Sequence, residues 1–405
     1  MHDQHLIPDL FRTEFSKICA VLNAFSHFDQ PELVEDIASA TFQAALETWP
    51  YQGVPANPKA WLYHVARNKA INAFRKYSKY QTVDPASLER NEVATEPDMT
   101  DRNIQDSQLA TLFAICDPQL PDETQIGLAL RILCGFGIDE IAAAFMVDKE
   151  VINKRLYRGR EKLRRLGFDF DKRADFRESR LDHVLLVLYL LFNEGYHSTT
   201  YHRPVREELC FEAIRLTSLL LDSKETAATQ THALFALMNF QASRLKARTS
   251  ADGTEILYDD QDPASWDQTL ITTGAYHLHK ASSGTTLTAY HLEAAIAFWF
   301  TQHQSTPEKW QHILQLYDQL LAIQYSPIAA LNRVFAYSKI YGALAAIAEA
   351  EKLALESNPQ YHLLLGALLS RIDNEKARVH YTNAISLLHR EEDRRHVRQR
   401  INALD

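Results

Sequence analysis

The chain has 405 residues, 46% of them hydrophobic, with only 12 glycines and a formal net charge of −9. That length exceeds what one core usually holds, so two or three domains are expected, and the scarcity of glycine favours helix throughout. The negative balance leaves no general basic field to draw the protein to nucleic acid, so any such binding has to come from local clusters.

In chain order, residues 7–28 read as an amphipathic helix or helix pair with Leu10, Phe11, Phe15, Ile18, Val21, Leu22 and Phe25 as its apolar stripe. A turn at Asp29-Gln30-Pro31 opens a second helix, PELVEDIASATFQAALETW, with Pro31 suited to the first turn and Glu32, Glu35 and Asp36 near the positive end of the dipole. Leu33, Ile37, Ala40, Ala44 and Trp49 can pack, which leaves Asp36, Ser39, Gln43 and Glu47 exposed. The prolines and glycine of residues 50–58 predict a stiff loop.

The helix PKAWLYHVARNKAINAFRKYSKY over residues 58–80 combines two faces. Leu62, Val65, Ala66 and Ala73 would face a core, while Trp61, His64, Asn68 and Arg75 share another side. Arg67, Lys69, Arg75, Lys76 and Lys79 supply charge for phosphates, and Trp61, Tyr63, Phe74, Tyr77 and Tyr80 supply rings on which an unstacked base can rest. An ordinary amphipathic helix with solvated cations is the alternative.

From residue 81 to 108 the pattern becomes acidic and aperiodic, as a linker would be. Residues 109–115 are apolar again, and a helix following Pro121 runs through Ile126, Leu130 and Leu133 to a stop at Gly135. GIDEIAAAFMVDKEVINKRLYRGREKLRR, residues 137–165, divides into a short helix, a tight turn at Met146-Val147-Asp148 and a longer helix, the helix-turn-helix pattern. Ile141, Phe145, Val147, Ile152 and Leu156 would form its core. On the second helix Lys149, Lys154, Arg155, Arg158, Arg160, Lys162, Arg164 and Arg165 outnumber two acids, so it can enter a major groove, early residues on base edges and later cations on phosphates.

After a charged connector, residues 168–180, the sequence is helical to its end. Residues 181–191 are apolar nearly all round, and Asn193-Glu194-Gly195-Tyr196 is expected to break that helix. Further helices are expected at about 204–221, 225–247, 264–281, 285–303 and 307–322, followed by paired helices. Pro327 and Pro359 stand close to one tetratricopeptide period apart, and Leu365-Gly366 with Ala377, Tyr381 and Ala384 forms a degenerate version of that repeat.

The four cysteines, Cys19, Cys116, Cys134 and Cys210, form no CxxC pair and have no histidine at metal spacing, which argues against a disulfide framework and a zinc site. The acidic loop Tyr258–Asp267 lacks the glycine and terminal glutamate of an EF-hand and reads as a helix start. No P-loop, GxSxG, HExxH or dinucleotide fingerprint is present, so no catalytic residue, metal or cofactor is expected. The start, MHDQHLIPDLF, lacks the charge and apolar pattern of a leader, and the longest apolar run, residues 184–192, is far below the roughly 18 residues of a spanning helix. A cytoplasmic protein without a membrane partner is expected.

Two DNA-facing helices separated by an acidic linker resemble the bacterial sigma factors of the extracytoplasmic-function class, over residues 7–168. The resemblance implies an all-α chain with sigma region 2 at residues 7–80, the linker at 81–108 and a helix-turn-helix region 4 at 109–168. It also implies that Asp36, Ser39, Gln43 and Glu47 grip the beta-prime clamp helices of core RNA polymerase, with region 4 near the beta flap. Asn57, Trp61, His64, Arg67, Asn68 and Arg75 would take the melted minus-ten strand, and Asn153, Lys154, Tyr157 and Arg158 would read the minus-thirty-five element. Residues 180–405 are similar to the tetratricopeptide-like extension of one subgroup, where a helical array would bind a protein or peptide. The rivals are a one-component regulator that uses residues 137–165 alone and a repeat-protein scaffold.

Overall fold

In the computed structural model the chain is described over residues 6–26, 30–80, 96–145, 147–166, 174–196, 204–248, 256, 258–388 and 391–404. It is all-helical, with no strand among the described residues, and falls into two compact units, residues 1–191 with 222–226, and residues 192–221 with 227–405.

The first unit begins with α1 (Leu6–Phe25), α2 (Pro31–Gln52) and α3 (Pro58–Tyr80). Their apolar stripes meet in one core of Leu10, Phe15, Ile18, Leu22, Val34, Ile37, Phe42, Trp49, Leu62, Ala66 and Ala70. Helix α2 runs through Pro50, where the sequence predicted a loop. A proline there forfeits one ladder bond in the last turn, and the helix stops at Gly53, whose φ of 83° needs glycine. On α3 the buried line is Leu62, Ala66 and Ala70, spaced four apart, while Val65 and Ala73 are half-buried.

Part of the expected linker is helix. Residues 81–95 lie outside the described residues, but α4 (Asp101–Ile115) is a helix capped by Thr100, whose side chain accepts from the Asn103 amide. Residues 107–115 are all buried, and α4 packs along α1. Asp101 and Asp106, which made the segment read as linker, lie in its less buried first turns. Then follow α5 (Asp122–Leu128), a π-helical turn (Ala129–Leu133), α6 (Ile138–Phe145) and α7 (Lys149–Leu166). The helix-turn-helix segment therefore belongs to the same unit as α1–α3. Its turn residue Met146 lies outside the described residues.

Helix α8 (Ala174–Tyr196) begins inside the expected connector and continues through Asn193–Tyr196, where a break was predicted. Phe192 and Tyr196, one turn apart and both buried, stack at 5.5 Å and hold that last turn in register. The second unit continues with α9 (Pro204–Leu221), α10 (Thr229–Ala242), α11 (Gln268–Ala281), α12 (Ala289–Phe300), α13 (Pro307–Ile323), α14 (Pro327–Tyr341), α15 (Ala343–Glu351), α16 (Pro359–Leu369), α17 (Asn374–Leu387) and α18 (Glu391–Asn402). The acidic loop forms two short 3-10 turns, and Asp267 caps α11. Consecutive helices pack in pairs, α13 on α14 and α16 on α17. In the latter pair Gly366 lets the Tyr381 ring approach to where a Cβ would stand 2.6 Å away, with Ala377 and Ala384 buried alongside. The four cysteines are free and buried.

Candidate nucleic-acid interface

Helix α2 buries Val34, Ile37, Ala38, Thr41, Phe42, Ala45 and Trp49, so the residues between them turn outward. Asp36, Ser39, Gln43 and Glu47 are all exposed on one stripe, where Gln43 Nε2 donates to Glu47 Oε1 at 2.8 Å. Leu46, 57% exposed, adds an apolar contact to that face.

Helix α3 is fastened to α1 by a carboxylate that the sequence reading missed. Glu14 sits in the apolar stripe of α1 and is fully buried. It accepts from the Tyr63 hydroxyl and from Lys17 Nζ at 3.1 Å, and pairs with Lys59 at 3.1 Å. Burial pushes its pKa up, and the Tyr63 hydroxyl with the two lysines more than offsets this, so it lies below the ordinary carboxylate value. Burial and the same carboxylate raise the Tyr63 hydroxyl. A carboxylate at a core position of an otherwise apolar helix was the available signal, because such a group survives burial only when paired.

The sequence-predicted residues on this side divide. His64, Asn68, Arg75 and Lys76 are exposed, with Asn68 Nδ2 donating to His64 Nε2 at 3.0 Å. Asn57 is exposed, and its Oδ1 accepts from the Ala60 amide, which makes it a cap of α3. Trp61 is half-buried, its ring edge-on to Trp49 at 5.4 Å, so it belongs partly to the core. Arg67 pairs with Glu96. The side chains of Tyr77, Lys79 and Tyr80 lie outside the described residues.

Ala60, Tyr63, His64 and Arg67 form one wall of a cleft of about 620 Å³, and Glu96–Thr100 forms the other. That second wall is rigidly built: Asp98 accepts from the Thr100 amide at 3.0 Å, Asn103 Nδ2 donates to the Asp98 carbonyl at 2.7 Å, and Met99 packs on the α1–α3 core. The cleft thus brings imidazole, guanidinium, phenol and carboxylate groups to a half-open pocket.

Helix α7 buries Ile152, Leu156, Gly159 and Leu163. At Gly159 a Cβ would stand 2.7 Å from Thr124 Cγ2 and 3.0 Å from Leu128 Cδ1, so glycine permits the close approach to α5. Phe145 and Val147, expected in this core, are only half-buried. Asn153, Lys154, Tyr157 and Arg158 are exposed together, Tyr157 at 61%. Lys149 is exposed and pairs with Asp139 of α6 at 2.9 Å.

Other cations of α7 face inward. Arg155 pairs with Glu123 at 2.6 Å and lies over the Phe145 ring. Arg160, expected on phosphate, has a side chain only 14% exposed and donates to Glu35 of α2. The other Glu35 oxygen accepts from Arg131 of the π-helical turn, at 2.6 Å from NH2 and 3.2 Å from Nε. Position 160 lies four residues after Leu156 and three before Leu163, at the edge of the side of α7 that packs, which is why it does not join Tyr157 and Arg158 outside.

Among the described residues no group of three His, Cys, Asp or Glu side chains could hold a metal ion, and no helix is long and apolar enough to cross a membrane.

Comparison with known proteins adds three findings. Residues 11–80, most of α1 with all of α2 and α3, match the model of sigma-70 region 2. Residues 180–282 match a family of unknown function, DUF6596. An uncharacterized protein of Rhizobium meliloti (strain 1021) is 35% identical over 383 residues, covering 91% of this chain and 90% of that protein. No solved structure matches.

Proposed function

The chain belongs to the sigma-70 family, whose members act in transcription initiation and are not enzymes, and from that premise we propose that it is an extracytoplasmic-function sigma factor with a regulatory helical extension. In this reading it binds core RNA polymerase in the cytoplasm, directs it to promoters with two elements and assists melting of the downstream one.

One observation carries the reading: the helices of region 2 offer two separate outward faces. Asp36, Ser39, Gln43 and Glu47 form a polar stripe on α2 suited to a protein partner such as the beta-prime clamp helices. His64, Asn68, Arg75 and Lys76 are exposed along α3, a cationic and hydrogen-bonding surface suited to an unpaired strand, while Arg67 beside them is paired with Glu96 across the cleft. Trp61 contributes through its exposed edge. On α7, Asn153, Lys154, Tyr157 and Arg158 present hydrogen-bonding and charged groups as a recognition helix would, with Lys149 at its start. A one-component regulator would have no use for the α2 stripe.

In the second unit the paired helices and the small residues Gly366, Ala377 and Ala384 support a tetratricopeptide-like array that engages a protein or peptide. The extension then regulates the sigma activity from within the same chain.

Run-off transcription with purified core polymerase, with and without the chain, on a set of candidate promoters tests the proposal. New start sites that depend on the chain are expected. Absence of core binding and of new start sites would refute it, and tight binding to duplex DNA without polymerase would favour the regulator.

A further inference from the structure

We propose that the second unit holds an oxyanion site at Arg244 and Lys309, built for the phosphate or carboxylate group of a small molecule. The site lies in the C-terminal extension, so it goes beyond the sigma reading and does not depend on it.

Separate stretches of the chain bring the site together. Arg244 follows α10, Tyr258 and Asp259 come from the acidic loop, Lys309 stands in the first turn of α13, and Lys339 lies near the end of α14. The Arg244 guanidinium lies over the rings of Tyr258 and Phe300, at 5.4 and 5.5 Å. Lys309 is only 2% exposed, and its Nζ donates to the Tyr258 hydroxyl and to the Gln302 carbonyl, both at 2.7 Å. Lys309 and Lys339 stand 5.3 and 5.6 Å from the Trp310 ring, which is edge-on to Tyr258, so three cations share one aromatic block.

The charges of this group do not balance. Among the described residues Asp259 is the carboxylate that pairs with it, and Lys339 takes that carboxylate. Arg244 and Lys309 meet ring faces, a hydroxyl and a carbonyl instead. A ring face attracts a cation but offers no acceptor oxygen to its N–H groups. Arg244 Nε, out of reach of solvent, has no hydrogen-bond partner, and Lys309 has partners for two of its three N–H groups. Shielded cations without a counter-charge are costly, and an oxyanion offsets that cost while accepting from the donors left over. Asp259 is 39% exposed and marks the solvent edge of the group, whereas Lys309 is sealed from any large partner. A small ligand can reach what a protein surface cannot.

Calorimetric titration of the full chain with inorganic phosphate, acetate and chloride, at matched ionic strength, reads the site. Phosphate or acetate should saturate a single site and chloride should not, and the tighter of the two oxyanions identifies the ligand group. Burial, and then the charge of Arg244 and Lys339 acting against that of Asp259, lower the Lys309 amine to about 8. The amine is charged below that value, so wild-type affinity should fall as pH rises past about 8, and Lys309→Arg, which keeps its charge, should bind without that fall. Arg244→Met and Lys309→Met should each weaken binding about tenfold or more. Asp259→Asn, at the solvent edge, should strengthen it by up to about fivefold, the range of an exposed pair, because it frees Lys339. The pH profile and Asp259→Asn decide the matter if a variant of a shielded cation does not fold. Uptake of neither oxyanion overturns the site. So does uptake that is flat through pH 8 and indifferent to Asp259→Asn, which marks an adventitious ion only.

Discussion

Helix α3 is tied to α1 by the carboxylate of Glu14 and helix α7 to α2 by that of Glu35, and the two ties differ in what they consume. Glu14 holds α3 through Tyr63 and Lys59, on the side turned toward α1, and leaves His64, Asn68, Arg75 and Lys76 in solvent. Glu35 holds α7 through Arg160 itself. The first tie leaves the cations of its helix outside, and the second turns one cation of α7 inward. Counting cations along a helix therefore measures its potential for nucleic acid, while the partners of each cation measure what the folded chain offers.

The largest test of this contrast is Glu14→Ala. Removing the carboxylate leaves the half-buried Tyr63 hydroxyl without its partner, which costs about 1–3 kcal/mol, and the cavity left at a fully buried site adds to this, while Lys17 and Lys59, 30% and 58% exposed, turn to solvent. Amide exchange along α3 in the full chain should accelerate accordingly, while α16 and α17 keep their protection. A loss below about 1 kcal/mol, the range of exposed pairs, would mean that Glu14 does not anchor α3.

Next in size is the division within α7. Arg158→Ala should weaken duplex binding by about 1–3 kcal/mol if Arg158 reads a base edge. Arg155→Ala should leave binding unchanged and cost about 0.2–1 kcal/mol of stability, because its partner Glu123 is largely exposed. Equal losses of binding in both variants would place the wrong side of α7 in the groove.

These outcomes turn on how far apart in sequence the partners lie, which also decided what could be read beforehand. The all-helical class, the outward stripe of α2 and the exposed group Asn153, Lys154, Tyr157 and Arg158 follow from spacing along single helices, and the structure has them so. Arg160 looked equivalent to Arg158 until Glu35, 125 residues away, was brought to it. Tyr63 read as a stacking ring, yet its hydroxyl is committed to Glu14, 49 residues before it. Trp61 was ambiguous for the same reason, since only the fold reveals Trp49 beneath it. Helical periodicity assigns a residue to a face, whereas the identity of the neighbour on that face is tertiary information. The acidic composition of residues 101–108 concealed a helix because its apolar partners come from α1.

The smallest predicted effect concerns acid, and it sharpens the difference between the two ties. Glu14 has its pKa held below the ordinary 4.5 by the Tyr63 hydroxyl, Lys17 and Lys59 acting against the cost of burial. With a folded value below the unfolded one, the unfolded chain binds the extra proton in the interval between them. The contribution of Glu14 is thus complete above pH 4.5 and is lost as pH falls through the lower folded value. Glu14→Gln carries no such proton, so the stability difference between wild type and variant should be constant from about pH 7 to pH 5 and shrink below about pH 4.5. Amide exchange at α3 across that range reads it directly. A difference that stays constant into acid would show that protonating Glu14 costs the folded chain nothing, and that α3 is held by shape rather than by charge.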